Sequence, residues 1–330
     1  MATTRYDVVG IGNAIVDVLS HAEDGFLEGQ GLNKGSMTLI DGARAEALYG
    51  AMGPARESSG GSAANTLAGL AALGGRGAFL GKVRNDQLGG IFRHDLRAVG
   101  VDYNTAPSDH GDPTARCLIF VTPDAQRTMA TYLGASVAFG PGDLDLETVR
   151  AGKLLYLEGY LWDSDEAREA FQIAAEAARE AGRKVALTLS DPFCVDRHRR
   201  SFRELVDGHV DLLFANEEEI KSLYEVDSFE EALTAVQGRV EIAALTRSEQ
   251  GSVVLSKDGA QRIAPVIVGA LTDTTGAGDL YAAGFLYGYT QGRSLADCGR
   301  IASIAAGEVV SHMGPRPDRD LKALVAEKMD

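Results

Sequence analysis

Apolar runs of strand length alternate with longer amphipathic segments through most of this chain, most regularly after residue 153. The pattern predicts strands at 154–157, 184–189, 212–215 and 242–246, separated by helices at 165–181, near 199–206, at 217–224 and at 229–236. Apolar strands that alternate with helices of this length predict an α/β fold with a doubly wound, mainly parallel sheet between helices. Ligands bind such folds at the carboxyl ends of the strands. Asn13 follows a further predicted strand at 6–11, Asn216 follows the strand at 212–215, and Thr246 ends the strand at 242–246, so we expect a site there.

Three runs of alternating apolar and polar residues interrupt this pattern in the first half of the chain, at 36–41, 114–121 and 127–133. The last two are joined by Thr-Pro-Asp-Ala-Gln, which is typical of a hairpin. The runs predict a small antiparallel β-sheet that closes over the site as a lid, built from insertions at about 14–41 and 101–136. The whole chain, 1–330, is then expected to be a single domain with this lid.

A long helix is predicted at 277–291, directly after the segment Asp273-Thr-Thr-Gly-Ala-Gly-Asp279. The first N–H groups of a helix are unpaired and carry partial positive charge, so anions bind there. Gly276 and Gly278 allow a ligand to approach the backbone closely. An anion-binding turn beside the carboxylate of Asp279 suits phosphoryl transfer to a hydroxyl. The alternative is an ordinary helix start, with Thr275 as its cap and Asp279 as a favourable first-turn charge.

Three other glycine-containing segments resemble ligand-binding motifs but lack a required residue. Gly10-x-Gly12 has isoleucine at position 15, where a dinucleotide-binding loop has its third glycine. Ser62 is followed two positions later by alanine, where the nucleophile turn of a hydrolase has glycine. Gly81-Lys82 has Arg76 where a P-loop has its first glycine. The sequence therefore favours none of these three sites.

Composition limits the kinds of partner that the protein can have. The chain has 330 residues, 45% of them hydrophobic, and a formal net charge of −15. Such an acidic balance argues against a nucleic acid or an anionic membrane as partner. The three cysteines lie far apart in sequence, so neither a disulfide framework nor a zinc site is indicated. With no apolar segment of signal-peptide or membrane length, we expect a cytoplasmic protein.

Three segments in this order and spacing resemble the ribokinase-like (PfkB) family of carbohydrate and nucleoside kinases: Gly60–Asn65, Asn216–Glu219 and Asp273–Asp279. The resemblance covers essentially the whole chain. Four further segments are similar to the adenosine kinase branch of the family: 13–17, 127–135, 187–193 and 210–216. The resemblance implies an ATP-dependent, magnesium-requiring phosphotransferase that acts on the 5′-hydroxyl of a ribonucleoside, with adenosine as the expected acceptor.

The resemblance also implies a role for individual residues around the transferred phosphoryl group. Asp279 matches the catalytic base, and Gly276, Ala277 and Gly278 match the anion hole. Arg127, on the predicted lid, matches a basic residue that approaches the phosphates when the lid closes.

On the acceptor side, Asp17 and Asn65 match residues that hold the sugar hydroxyls. Asn13, Gly61 and Ser62 lie beside them in the matching motifs, and Leu133 is expected near the acceptor. A carboxylate that accepts hydrogen bonds from two vicinal hydroxyls is a common means of binding ribose.

On the nucleotide side, Asn216 and Glu219 match an element that organises Mg²⁺ and the nucleotide phosphates through water. The same pair has the spacing of a capping box, which is the structural alternative. The predicted nucleotide loop contains Thr246, Ser248 and Gly251, with serine where the family commonly has a glycine. Asp273 and Thr275 match a loop that binds a monovalent cation, often K⁺.

The identity of the acceptor stays open at the level of sequence. An apolar slot for a purine is expected from six residues that are equally consistent with ordinary core: Met37, Leu39, Leu133, Tyr160, Leu161 and Trp162. The alternatives are a sugar kinase of the same family, acting on ribose, fructose or a keto-sugar acid, and a non-catalytic nucleoside or sugar sensor. The protein is expected to be a monomer or a homodimer formed through the lid.

Overall fold

The computed structural model describes residues 4–124 and 126–329. Its strands are β1 (Tyr6–Ile11), β2 (Ile15–His21), β3 (Met37–Leu39), β4 (Ala55–Gly60), β5 (Gly77–Leu80), β6 (Val101–Tyr103), β7 (Ala115–Val121), β8 (Arg127–Tyr132), β9 (Gly152–Glu158), β10 (Lys184–Thr188), β11 (Leu212–Asn216), β12 (Ile242–Thr246), β13 (Ser252–Ser256) and β14 (Gly259–Ile263). The helices are α1 (Asp24–Gly29), α2 (Gly42–Ala51), α3 (Ser62–Ala72), α4 (Gln87–Ala98), α5 (Leu146–Ala151), α6 (Asp165–Glu180), α7 (Pro192–His209), α8 (Glu217–Tyr224), α9 (Phe229–Val236), α10 (Ala277–Thr290), α11 (Leu295–Val309) and α12 (Leu321–Met329).

The larger sheet has the strand order β14-β13-β12-β11-β10-β9-β1-β5-β6. It is parallel from β12 to β6, while β13 and β14 pair antiparallel at one edge. Alternate residues of its strands enter two hydrophobic clusters: Leu155 packs with α6 to α9, whereas Leu154 and Tyr156 pack with α3, α4, α10 and α11. Helices therefore cover both faces, and the predicted doubly wound α/β fold is confirmed.

The smaller sheet has the order β3-β8-β7-β2-β4. It is mixed and not antiparallel as predicted, because β2 runs parallel to β7 and β3 runs parallel to β8. The predicted bounds also need correction. β4 belongs to this sheet although its polar sequence Ala-Arg-Glu-Ser-Ser-Gly gives no strand signal, and β6, inside the predicted 101–136 insertion, pairs with β5 in the larger sheet.

Strand alternation gives the smaller sheet two different faces. One face carries Val16, Val18 and Phe120, which pack in the main core with α1 and α2. The other face carries Asp17 on β2 and Arg127 on β8, together with a separate apolar cluster formed by Ile15, Leu19, Cys117, Ile119, Val121 and Met129. The two charged residues predicted for the site thus lie on the same face of this sheet.

Helix α10 begins at Ala277 as predicted and ends at Thr290, one residue before the predicted end. In the part of the chain that the structure describes, every helix is too short or too polar to traverse a lipid bilayer.

Candidate active site

The start of α10 is held in place by the loop that precedes it. Gly276 is the N-cap with φ of +78°, and a Cβ there would lie 2.7 Å from the Cα of Pro315, so glycine is required by both conformation and space. The N–H of Thr275 donates to Asp273 Oδ1 (3.0 Å). Thr275 itself does not cap the helix, because the N-cap position is Gly276. The N–H groups that begin the helix therefore have no side-chain cap.

Asp279, the third residue of α10, faces the start of α3. Ser62 Oγ donates to Asp279 Oδ1 (2.6 Å), and Asn65 Nδ2 donates to Asp279 Oδ2 (3.3 Å). Burial raises the pKa of Asp279 to about 6, against the lowering effect of these two hydrogen bonds. The carboxylate is therefore ionised in most molecules at pH 7 and is still basic enough to accept a proton.

A buried glutamate fixes the start of α3. Glu158, at the carboxyl end of β9, is 0% exposed and accepts hydrogen bonds from Ala63 N (2.8 Å) and from Nδ2 of Asn13 (2.8 Å). Burial raises its pKa to about 7. Gly61, directly before α3, has φ of +94°, and a Cβ there would clash with the carbonyl oxygen of Asn13. Sequence analysis missed Glu158, although a charged residue that ends an apolar strand was a usable signal.

Asn13 is held on both sides of its amide. Its Nδ2 donates to Glu158, and its Oδ1 lies 2.8 Å from the hydroxyl of Ser136. The same hydroxyl lies 2.6 Å from the carbonyl oxygen of Leu133. Asn13 is only 1% exposed. Asn13 therefore holds neighbouring residues of the site in place, and the backbone of Leu133 lies close to it through Ser136.

Asp17 lies on β2 opposite Ser58 of β4, two residues before the end of that strand at Gly60. A Cβ on Gly60 would clash with the Asp17 carboxylate, so the glycine leaves the space that this side chain occupies. Burial raises the pKa of Asp17 to about 6; the charges of Arg316 and Arg127 lower it, and the charge of Asp279 raises it. These four charged groups are therefore close enough to interact.

Arg127 connects the smaller sheet to the loop before α10. Its Nη1 forms an ion pair with Asp273 Oδ2 (2.7 Å) and donates a hydrogen bond to the hydroxyl of Thr275. Its Nε and Nη2 are buried and have no partner among the described residues. Asp273 Oδ2 also accepts from the N–H of Gly314 (2.9 Å). The residues predicted to bind a monovalent cation thus surround a guanidinium group.

Arg316 is the second arginine of the site, and sequence analysis did not predict it. It lies after α11, and its Nε donates to Asn65 Oδ1 (3.3 Å). Asn65 is therefore bonded to Asp279 through its amide nitrogen and to Arg316 through its oxygen. An arginine between two prolines in a polar segment gives no sequence signal for a buried role.

The site thus joins a carboxylate, an open helix start and two arginines at the carboxyl edge of the larger sheet. The family model of the pfkB family carbohydrate kinases matches residues 50–321. The chain belongs to this family. It is accordingly a kinase, and ATP use is implied by the family.

Two solved structures resemble this kinase over nearly its full length. A probable sugar kinase from Rhizobium etli CFN 42 is 51% identical, with a TM-score of 0.92, covering 98% of this chain and 99% of that one. An adenosine kinase from Sinorhizobium meliloti is also 51% identical, with a TM-score of 0.91 and the same coverage. Among curated relatives, the ATP-dependent ribose-1-phosphate kinase of Halopiger xanaduensis (strain DSM 18323 / JCM 14033 / SH-6) is 29% identical over 283 residues, covering 83% of this chain and 89% of that protein.

On the nucleotide side of the kinase, Asn216 and Glu219 form the predicted capping box at the start of α8. Asn216 Oδ1 accepts from Glu219 N (2.9 Å), and Glu219 Oε2 accepts from Asn216 N (2.9 Å). Burial, together with the charges of Asp191 and Asp279, raises the pKa of Glu219 to about 7, against the lowering effect of the hydrogen bond from Asn216 N. The capping role is confirmed, while the role toward magnesium stays a prediction.

The predicted nucleotide loop lies beside this helix start. Thr246 ends β12 directly opposite Asn216 in the sheet register. Ser248 has φ of +48°, so this serine adopts the left-handed conformation that a glycine favours. The N–H of Gly251 donates to the carbonyl oxygen of Ser248 (3.1 Å) and closes the turn. The serine that departs from the family pattern therefore keeps a glycine-like backbone.

The predicted purine slot needs correction at two residues. Leu161 and Trp162 lie in the hydrophobic cluster that contains Leu155, where Trp162 stacks on Phe202 with ring centroids 5.5 Å apart. They belong to a helical turn that faces α6 and α7, a direction that sequence alone does not reveal. Met37 and Leu39 are 44% and 51% exposed on β3.

Proposed function

We propose that the kinase transfers the γ-phosphoryl group of ATP to the 5′-hydroxyl of a ribonucleoside, with adenosine as the acceptor. The observation that carries this proposal is the apolar surface around Asp17. On the same face of the smaller sheet, Ile15 and Leu19 flank Asp17 along β2, and Cys117 lies opposite it on β7. A carboxylate inside an apolar surface suits a ligand with a diol at one end and an apolar ring at the other.

The charges around the site support a neutral acceptor. Asp17, Asp273 and Asp279 provide three carboxylates, and Arg127 and Arg316 provide two guanidinium groups. One of these guanidinium groups is already paired with Asp273. A sugar phosphate or a keto-sugar acid would add a further negative charge beside Asp17 and Asp279, whereas a nucleoside adds none.

In the proposed reaction, Asp17 and Asn65 bind the ribose hydroxyls and direct the 5′-hydroxyl toward Asp279. The acceptor oxygen forms a bond to the γ-phosphorus, the bond from that phosphorus to the bridging oxygen breaks, and ADP leaves with that oxygen. Asp279 accepts the hydroxyl proton. The uncapped N–H groups at the start of α10, with the unpaired N–H groups of Arg127, stabilise the charge on the transferred group.

Magnesium fits the carboxylate side of the nucleotide region. Burial and, to a smaller extent, the charges of Asp191 and Asp279 raise the pKa of Glu219, and a divalent cation would relieve the repulsion from these two charges. Among the described residues no three acidic, histidine or cysteine side chains cluster closely enough to hold a metal by themselves. Glu219 and Asn216 would therefore hold Mg²⁺ through water together with the nucleotide phosphates, where it neutralises phosphate charge.

Potassium does not fit the side chains of Asp273 and Thr275 in this arrangement. Arg127 already contacts both residues, and the N–H groups of Thr275 and Gly314 complete the contacts of the Asp273 carboxylate. We therefore assign no step to potassium.

The test is ATP turnover with adenosine, guanosine, inosine, ribose, fructose, ribose 1-phosphate and 2-keto-3-deoxygluconate, each with and without K⁺. We expect adenosine to give AMP and ADP in equal amounts at low micromolar acceptor concentration, with little effect of K⁺. Turnover on free sugars alone would contradict the nucleoside acceptor and favour the sugar kinase alternative, which the name of the Rhizobium relative supports. Acceptor binding without turnover on any acceptor would favour the sensor alternative.

A further inference from the structure

The segment that follows α11 is anchored on both sides of Arg316. Before it, Gly314 N donates to Asp273 Oδ2 (2.9 Å), and Pro315 packs against Gly276. After it, the N–H groups of Asp318 and Arg319 both donate to Glu308 Oε1 (3.1 Å each). Glu308 is fully buried. These contacts fix the backbone of Arg316 at the edge of the site.

The side chain of Arg316 has only part of its hydrogen-bonding capacity used. Its Nε donates to Asn65 Oδ1, but its Nη2 is buried and has no partner among the described residues. Burial lowers the pKa of Arg316, and the charges of Asp17 and Asp95 oppose this effect. A buried donor without a partner is costly, so a ligand that accepts from Nη2 gains binding free energy there.

Asp17 alone cannot satisfy the hydroxyl that it binds. A carboxylate only accepts, so a hydroxyl that donates to Asp17 keeps lone pairs that need a donor. Arg127 and Arg316 are the two cationic groups whose charges act on Asp17. Arg127 directs its Nη1 to Asp273 and Thr275 on the phosphoryl side of the site, whereas Arg316 lies next to Asn65 on the acceptor side.

We propose that Arg316 determines acceptor specificity by donating a hydrogen bond from Nη2 to the same sugar hydroxyl that donates a hydrogen bond to Asp17. The pair then recognises that hydroxyl as donor and acceptor at once and rejects an acceptor that lacks it, because Asp17 and the buried Nη2 of Arg316 would be left unpaired. This inference rests on the proposed function, since it requires an acceptor with vicinal hydroxyls. Asp17 beside the guanidinium makes a neutral oxygen the expected partner and not an anion.

The test compares Arg316→Met with Arg316→Lys and with Arg319→Met, a control that removes an exposed arginine three residues away. Each enzyme is assayed with adenosine, 2′-deoxyadenosine and 3′-deoxyadenosine, and nucleoside affinity is measured by calorimetry without ATP. For Arg316→Met we expect affinity for adenosine to fall by about 10- to 100-fold, the range for a hydrogen bond from a charged donor. We expect affinity for one of the deoxynucleosides, the one lacking the bound hydroxyl, to change by less than about 3-fold.

The discrimination between adenosine and that deoxynucleoside should therefore nearly vanish in Arg316→Met, return in part in Arg316→Lys, and persist in Arg319→Met. Equal losses on all three nucleosides, or wild-type discrimination in both Arg316 variants, would overturn the proposal. If Arg316→Met does not fold, Arg316→Lys decides by the same ratio. Failure of the wild-type enzyme to phosphorylate any nucleoside would instead contradict the proposed function, which separates the two outcomes.

Discussion

At Asp279, the position on the helix and the local burial act on the carboxylate in opposite directions. The start of α10 favours a negative charge, and Ser62 and Asn65 donate hydrogen bonds to it. Burial has the larger effect and raises the pKa to about 6. A base must be ionised before the reaction and must hold a proton after it, and a pKa just below neutral serves both needs.

Replacing Asp279 by asparagine should reduce kcat by about 100- to 10,000-fold, because general bases contribute in this range. The KM for the acceptor should change by no more than a few-fold, since the base acts mainly in the transition state. Steady-state kinetics with saturating ATP measure both constants.

Asp297→Asn is the matched control for this variant. Asp297 is the third residue of α11, as Asp279 is of α10, but it bonds to Ser294 at its own helix start. We expect the control to keep wild-type turnover. A variant Asp279→Asn that retains a tenth of wild-type kcat would contradict the role of Asp279 as base.

Some residues of the candidate site could be predicted from the sequence and others could not. Asp17, Asn65 and Asp279 stand in recognisable motifs, and the structure places them within interaction range of one another. Arg316 could not be found, because nothing in its polar neighbourhood indicates that the chain folds back onto the start of α3. Leu161 and Trp162 were misassigned, because an apolar side chain fits a ligand slot and a core equally well in sequence.

At the scale of elements, the site depends on the approach of the starts of α3 and α10. The two helices pack closely, and a Cβ on Gly69 of α3 would lie 2.6 Å from Leu280 and 2.8 Å from Ala283 of α10. The sequence predicted the start of α10. It could not predict that β4 joins the smaller sheet, since a polar edge strand acquires its structure from pairing with β2 and not from its own pattern.

Two glycines at the start of α10 should respond differently to alanine. Gly276 has a positive φ and contacts Pro315, so Gly276→Ala should destabilise the protein by about 1–3 kcal/mol, the cost of a strained backbone conformation. Gly278 has ordinary helical geometry, and among the described residues outside its own turn of helix no atom lies within 4 Å of the place that a Cβ would take. Gly278→Ala should therefore fold with at least wild-type stability. Thermal and denaturant unfolding measure this difference.

The turnover rate gives a second test of Gly278. If the anion hole lies at Gly278, the methyl group added in Gly278→Ala should displace the phosphoryl group. We expect kcat to fall by about 100-fold, the effect of a shift of about 1 Å at a reacting centre. Wild-type kcat in Gly278→Ala would place the transferred group elsewhere. Wild-type stability in Gly276→Ala would show that the segment around Pro315 moves without cost.

At the scale of the whole molecule, several carboxyl groups between the two sheets have a pKa that is raised by burial. The pKa is raised to about 6 for Asp17 and Asp279 and to about 7 for Glu158 and Glu219. The alternation of strands and helices was enough to predict the fold class, because both faces of a parallel sheet must be covered. The alternation could not predict this group of carboxyl side chains with raised pKa, because it arises where strand ends and helix starts from distant parts of the chain meet.

The raised pKa values predict how stability depends on pH. Between about pH 4 and 7 the folded protein holds protons that the unfolded chain has already released, so the free energy of unfolding falls as pH rises through this window. The protein without ligands should therefore unfold at a higher temperature at pH 5.5 than at pH 7.5. Activity should change in the opposite direction, because the proposed roles of Asp17 and Asp279 need ionised carboxylates, so kcat/KM should fall below pH 6.

A second effect of pH acts in the same direction and must be separated from the first. The formal net charge is −15 at pH 7, and lowering the pH reduces the repulsion among these charges. Salt at 0.5 M screens repulsion between exposed charges, because the Debye length falls to about 4 Å, but it acts little on buried groups. We therefore expect the higher unfolding temperature at pH 5.5 to persist at high salt. If salt abolishes the difference, surface repulsion and not the buried carboxyl groups determines it, and the proposed conflict between stability and activity at this site is wrong.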